Sequence, residues 1–172
     1  MLERTEDYLD IGVPLYKAAI TSDWNTANNI ILDSRNRRLE GFSVSNENMS
    51  TTLHVAVTAN ETERSILFVR NLVNIMFPNE LEVVDAKKNT AFCLVCMNGN
   101  MEMGMIMLRM NIRLLHIRGT DGMMPLQISS LFGRYKLLRF LYDSSRNNTD
   151  QYDDEDWKST LSNCVENDLF GK

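Results

Sequence analysis

Apolar residues along this chain come in short stretches with helical spacing, and polar or turn-forming residues separate one stretch from the next. In the first stretch Leu15, Ala18 and Ala19 share one face of a helix. Ser22 then breaks the pattern, and a second stretch with helical spacing follows over residues 24–32. The two stretches therefore predict one helical hairpin.

The same pairing of apolar stretches returns three more times. The predicted helices cover about residues 52–59 and 62–75, 91–98 and 101–110, and 125–132 and 136–143. Between the two helices of each pair, at the same offset, stands a small or turn-forming residue: Ser22, Asn60, Gly99 and Gly133. Polar segments join the pairs, and the segment 33–50 is the longest of these predicted loops. The pattern thus predicts four helical hairpins in series.

The hairpins also share an opening motif, which makes them an internal repeat. The equivalent residues Pro14, Thr52, Ala91 and Pro125 lie 34 to 39 residues apart. A period of this size, with an opening of the Thr-Pro-Leu-His-x-Ala type, is typical of ankyrin repeats, which have about 33 residues each. We therefore predict an all-α fold, an ankyrin-repeat solenoid of helix-turn-helix units joined by short hairpin loops.

A further helix is predicted near the end of the sequence. The acidic run Asp153 to Asp156 suits a first helical turn, because the helix dipole favours carboxylates there. The helix would extend to about Val165, with Trp157, Leu161 and Val165 packing back onto the array as a cap. The predicted organisation is a polar leader (1–12), four repeats (13–50, 51–88, 89–122 and 123–150) and a C-terminal capping helix (151–172).

Composition and charge exclude several classes of protein. Hydrophobic residues make up 44% of the 172 residues and charged residues 24%, as in a globular protein with a core. The net charge of −5 gives no basic footprint for nucleic acid. No charge-free apolar run approaches the roughly 20 residues of a membrane span, and the acidic start lacks the plan of a secretory signal. Three cysteines fit reduced thiols better than disulfides. We therefore expect a cytoplasmic protein.

Little in the sequence suggests catalysis or metal binding. Cys93 and Cys96 form a C-x-x-C pattern, but a zinc site needs four ligands and no second pair is present. Their register on the predicted inner helix favours packing, and a thiol switch is kept as a minor alternative. No phosphate loop or known catalytic motif occurs. We predict no enzyme activity, no cofactor and no metal.

Methionines are crowded into the third repeat. Because residues two apart do not share a helical face, Met103 and Met107 are expected in the core, and Met101 and Met105 elsewhere. This pattern favours core filling over an adaptable methionine-rich binding surface.

Several stretches resemble one plant ankyrin-repeat family, whose longer members carry a C-terminal membrane segment called the PGG domain. The resemblance rests on residues 89–94, 99–103, 117–126, 154–157 and 168–170, and it covers about residues 14–170. It implies the N-terminal ankyrin region of a membrane-associated protein linked to defence or stress signalling. It also implies that His54 ties a loop through hydrogen bonds. The sequence departs from the family pattern in lacking the Pro-Gly-Gly motif and apolar helices, so membrane residence is not carried over.

The predicted function is a non-catalytic protein-interaction module that binds another protein through its concave face and loop tips. The alternative is the cytosolic sensor part of a longer, membrane-associated chain without independent function. No nucleic-acid partner is expected, and the oligomeric state is left open. The candidate partner-binding residues lie at the predicted tips: Asn46, Glu47, Lys87, Lys88, Asn89, Arg118, Thr120 and Asp121.

Overall fold

The computed structural model describes residues 8–34, 48–146 and 151–169, and in these ranges the chain is built from α-helices joined by turns. The helices are α1 (Val13–Thr21), α2 (Trp24–Ser34), α3 (Thr52–Ala56), α4 (Glu63–Ile75), α5 (Ala91–Asn98), α6 (Met101–Met110), α7 (Pro125–Leu131), α8 (Tyr135–Ser145) and α9 (Asp154–Glu166). Short π or 3₁₀ turns lie at Tyr8–Gly12, Pro78–Glu82, Ile112–His116 and Thr120–Gly122. The predicted all-α fold class is confirmed.

Side-chain caps fix the point at which many of these helices begin. Thr51, Thr62, Thr90, Asn100 and Asp153 each accept a hydrogen bond from the backbone N–H three residues further on. Such caps satisfy N–H groups that the first helical turn leaves without a partner. The starts of α3, α4, α5, α6 and α9 are therefore encoded locally.

A left-handed residue ends several of the odd-numbered helices and turns the chain. Ser22, Gly99, Gly133 and Asp168 have φ angles of 56°, 84°, 65° and 50°. In three of these turns the next residue donates its N–H to the carbonyl five residues earlier: Asp23 to Ala18, Arg134 to Ser129, and Leu169 to Cys164. This is the Schellman type of helix ending, which directs the chain back along the helix that it leaves.

The hairpins stack side by side. Helices α1, α3, α5, α7 and α9 form one layer, in which each helix contacts the next, and α4, α6 and α8 form a second layer. We call these the inner and the outer helices, and we count α2, which packs on α1 in the first hairpin, among the outer helices. Between the layers lies one continuous core, whose largest fully buried side chains include Phe68, Phe92, Leu15, Leu53, Leu72 and Leu126. Burial of this face along the stack holds the array together.

The methionine prediction is confirmed. Met103 and Met107 are fully buried, whereas Met101 is exposed and Met105 is half-buried. Met103 and Met107 of α6 therefore contribute to the core, as the helical spacing predicts.

The predicted packing face of α9 is confirmed for Trp157, which is half-buried against the core, and wrong for Leu161 and Val165, which are exposed. The buried residues of the helix are Asp156, Thr160 and Cys164. The helix presents this face because α9 packs on α7 and Asp156 pairs with Arg118, whereas no described outer helix covers its apolar stripe.

The helix boundaries differ slightly from those predicted. Helix α3 ends at Ala56, three residues early, where the Thr58 hydroxyl donates to the Val55 carbonyl at 2.8 Å. Helix α8 extends to Ser145, two residues beyond the prediction. Among the described helices, none is both long and apolar enough to cross a membrane.

Candidate partner-binding surface

The hairpin tip before α5 is held by hydrogen bonds from one carboxylate and one backbone pair. Asp85 Oδ1 accepts the N–H groups of Lys87 and Asn89, both at 2.9 Å, and the Asp85 N–H donates to the Asn89 carbonyl at 2.8 Å. Lys88 closes the turn with a φ of 64°. The tip therefore holds Lys87 and Lys88 as exposed residues on a backbone fixed by hydrogen bonds.

Asn89 joins this tip to its neighbours on both sides. Its Oδ1 accepts the Thr120 N–H at 2.9 Å, and its carbonyl lies 2.9 Å from His54 Nε2. Asn89 is only 2% exposed. The Ala86 N–H adds a contact to the Asn48 carbonyl at 2.9 Å. These bonds align the tips of three successive units.

The His54 ring accepts one hydrogen bond and donates another among the residues that join these loops. The Thr51 N–H donates to His54 Nδ1, at 3.3 Å, so the ring carries its proton on Nε2 and donates it to the Asn89 carbonyl. Burial lowers the pKa of His54 below its ordinary 6.5, since the charged ring loses hydration, and the Asn89 carbonyl opposes that change. The imidazole is a neutral link between loops, the role that the family resemblance implies.

The structure separates the predicted binding residues into distinct environments. Lys87, Lys88 and Asp121 are exposed, and Thr120 is half-buried. Asn89 is buried, and its polar groups bond to neighbouring loops. Asn46 and Glu47 lie outside the described residues.

Arg118 is engaged inside the molecule. Its two terminal nitrogens donate to the Asp156 carboxylate at 2.8 and 2.7 Å, and one also donates to the Gly122 carbonyl at 2.8 Å. These hydrogen bonds lower the pKa of Asp156 and raise that of Arg118. The guanidinium thus ties the fourth tip to α9 with three of its five N–H donors.

A cleft of about 330 Å³ opens between the tips and the inner helix α5. Its lining includes two of the predicted residues that face solvent, Lys87 and Thr120, together with Asn48, Ser50, Asp85, Ala86, Asn89, Leu94 and Met97. The sequence reasoning missed Leu94 and Met97. The sequence does contain a sign of this site, because α5 is apolar on all sides. Leu94 and Met97 are the apolar residues of α5 that do not belong to its buried face.

Met97 belongs to a row of equivalent positions at or just after the ends of the inner helices. The row, six residues after the equivalent starting positions of the repeats, consists of Ile20, Thr58, Met97 and Leu131. Ile20, Thr58 and Leu131 are exposed and Met97 is half-buried. Of this inner row, Met97 lines the cleft, and Ile20 and Leu131 are apolar residues exposed at the equivalent positions of the first and fourth units.

The cysteines are placed for packing. Cys93 and Cys96 are fully buried, and burial raises the pKa of both thiols. In the described part of the chain, no group of three or more His, Cys, Asp or Glu residues could hold a metal ion.

Comparison with known proteins gives the fold. No family model matches the chain, and no curated protein matches it. Solved structures do: EF0377, an ankyrin repeat protein, is 17% identical with a TM-score of 0.62 over 81% of this chain. The ankyrin repeat domain of Bcl-3, a member of the IκB protein family, is 20% identical with a TM-score of 0.62 over 76% of this chain. The chain spans 65% and 55% of those two chains. Together with the stacked helical hairpins, these matches identify the fold as an ankyrin-repeat solenoid.

Proposed function

We propose that this chain is a non-catalytic protein-interaction module, which binds another protein between its loop tips and its inner helices. The observation that carries the proposal is the inner row, where Ile20 and Leu131 remain exposed although equivalent helices stack beside them. An apolar strip bordered by a polar rim is the usual anatomy of a protein interface.

The tips supply the polar rim and its charge. Lys87 and Lys88 extend from a backbone that Asp85 fixes, so little ordering entropy is lost when they meet a partner. Their charge favours a partner with carboxylates at this edge. Arg118 and Asn89 are omitted from the proposed surface because both hold the array together.

Quantitative affinity purification from cell extract tests the proposal with matched variants. The test variant carries Lys87→Glu, Lys88→Glu and Met97→Glu, and the control carries Arg109→Glu and Lys136→Glu on exposed positions of the outer helices. We expect at least one protein that the wild type and the control retain and the test variant loses. That partner should bind the purified test variant at least about tenfold more weakly than the purified wild type, a difference of about 1.4 kcal/mol in binding free energy. Retention of every partner by the test variant would contradict the proposal.

The proposed cellular context rests on the sequence resemblance alone. The residue-level resemblance supports a role in plant defence or stress signalling, with the module in the cytoplasm, alone or as the sensor part of a longer membrane-associated chain. Sequencing the full-length transcript tests the second arrangement, which requires apolar segments downstream of these residues. Microscopy of the tagged full-length protein tests the location.

A further inference from the structure

Helix α9 exposes two residues whose counterparts are buried in every preceding unit. Counting back seven residues from the turn residue of each unit gives Leu15, Leu53, Phe92, Leu126 and, for α9, Leu161. The first four are at most 1% exposed, whereas Leu161 is 56% exposed. Counting back three residues gives Ala19, Val57, Cys96, Ser130 and Val165, of which the first four are at most 2% exposed and Val165 is 67% exposed.

The end of α9 repeats the geometry that precedes an outer helix. Asp168 has the positive φ of Ser22 and Gly133, and the Leu169 N–H donates to the Cys164 carbonyl at 2.9 Å. The α1 and α7 turns make the same bond and lead directly into α2 and α8. By this internal comparison, α9 is an inner helix whose apolar stripe is shaped to meet an outer helix.

A groove occupies the place beside α9 that such a helix would take. It has a volume of about 610 Å³ and runs between α8 and α9, with Leu126 of α7 also in its lining. Its main apolar walls are Leu138, Tyr142, Trp157 and Leu161. In the preceding units, α6 and α8 each pack against their own inner helix and the previous outer helix, which is the same relationship.

The groove is lined by positive charge, which favours an occupant with carboxylates. The charged residues in its lining are Arg139 and Arg146, and neither forms an ion pair with a described residue. Arg139 lies on α8 and Arg146 is its C-cap residue, seven residues later, or about 10 Å along the helix axis. The array already joins outer helices by such a contact, since Arg70 of α4 donates to Glu102 of α6 at 2.6 Å.

We propose that this groove binds an amphipathic helix of a partner protein, with an apolar stripe against α9 and two carboxylates one heptad apart facing Arg139 and Arg146. The helix takes the position of a fifth outer helix. This terminal groove is separate from the tip surface, so the proposal stands whether or not the tips bind a partner.

A synthetic helix provides the probe. A stapled, fluorescein-labelled peptide of about 15 residues carries leucines on one stripe and two glutamates one heptad apart. Binding is measured by fluorescence anisotropy and by the emission of Trp157, which lines the groove. We expect saturable binding with a shift in tryptophan emission, and Trp157→Phe should abolish the shift while anisotropy still reports binding. A shift that persists in Trp157→Phe would overturn the placement.

Two sets of variants test the contacts. Leu161→Glu and the pair Arg139→Glu with Arg146→Glu should each weaken binding at least tenfold, and a peptide with lysine in place of glutamate should regain affinity for the arginine double variant. Leu67→Glu on α4 is the matched control, since Leu67 is 52% exposed, and it should leave binding unchanged. All these positions are exposed, and circular dichroism checks that each variant folds.

Three outcomes would overturn the proposal. One is no binding at millimolar peptide, and another is equal binding by the glutamate and lysine peptides to the wild type. The third is self-association of the protein that Leu161→Glu abolishes, measured by analytical ultracentrifugation without peptide. That result would assign the groove to a second copy of this chain.

Discussion

Arg118 and Asp156 form a two-pronged ion pair that joins the fourth loop tip to α9, across 38 residues of sequence. The Asp156 side chain is almost fully buried, and the Arg118 side chain is 40% exposed. Asp156 also accepts the Asp153 N–H at 3.1 Å, so one carboxylate serves the helix start and the tertiary contact together. The position of α9 therefore depends on a residue that the sequence suggested as a partner contact.

Removing Arg118 should destabilise the protein. Arg118→Ala leaves the Asp156 carboxylate without its charged partner, and we expect a loss of about 1 to 2 kcal/mol, less than for a fully buried pair because Arg118 is partly hydrated. Chemical denaturation followed by circular dichroism measures it. Arg113→Ala is the control, since Arg113 lies 3.6 Å from Glu82 and is largely exposed, and it should cost below about 0.5 kcal/mol. Equal losses in the two variants would contradict a structural role for Arg118.

The same pair predicts an acid dependence. The hydrogen bonds from Arg118 hold the pKa of Asp156 below its ordinary 3.8 in the folded protein. A lowered folded pKa stabilises the fold above the unfolded pKa, and the stabilisation is lost as pH falls through the folded value. Asp156→Asn should therefore be less stable than the wild type near neutral pH, and the difference should shrink below about pH 4. The prediction would be contradicted if the difference in unfolding free energy between Asp156→Asn and the wild type were the same at neutral pH and below about pH 4.

The helices could be predicted from the sequence because their signals are local. Apolar spacing locates the helical hairpins, and caps such as Thr51, Thr90 and Asp153 lie within three residues of the groups they satisfy. Burial on α9 could not be predicted in the same way. Its apolar stripe is present in the sequence, but exposure of Leu161 depends on which helix lies beside it, and that is a property of the array.

The tip residues show a similar limit. Lys87, Lys88 and Asn89 are consecutive polar residues, and the sequence treats them alike as candidates for binding. They differ only through distant partners, because Asn89 meets His54, 35 residues before it, and Thr120, 31 residues after it. Side chains that join loops therefore need the folded stack before they can be told from side chains that face a partner.

Asn89 should behave as a framework residue. Asn89→Ala removes the acceptor of the Thr120 N–H, and we expect a loss of about 1 to 3 kcal/mol in the free energy of unfolding. Faster amide exchange at Thr120 should accompany it, measured by NMR. As a control, Lys87→Ala should change stability by less than about 0.5 kcal/mol because its side chain is exposed. An Asn89→Ala protein as stable as the wild type would return this residue to the candidate surface.

His54 should make stability sensitive to mild acid. Burial lowers its pKa in the folded state below the ordinary 6.5, so the unfolded chain binds the proton more readily. The contribution of His54 to stability is therefore present above about pH 6.5 and is lost as pH falls through the folded pKa. His54→Asn should reduce this pH dependence, measured by denaturation between about pH 7.5 and 5.5. An NMR titration of His54 giving a pKa at or above 6.5 would contradict the assignment.

The buried thiols should be inert in the folded protein. Burial raises the pKa of Cys93 and, more strongly, of Cys96, so little reactive thiolate forms at neutral pH. In a Cys164→Ser background, an aromatic disulfide reagent should label the two thiols only as fast as the protein unfolds. A Leu131→Cys variant supplies the control, because position 131 is exposed and should react at once. Rapid labelling of Cys93 or Cys96 in the native protein would instead support a thiol switch on α5. The labelling rate should also rise with urea concentration, and an unchanged rate would show that unfolding does not limit access to the thiols.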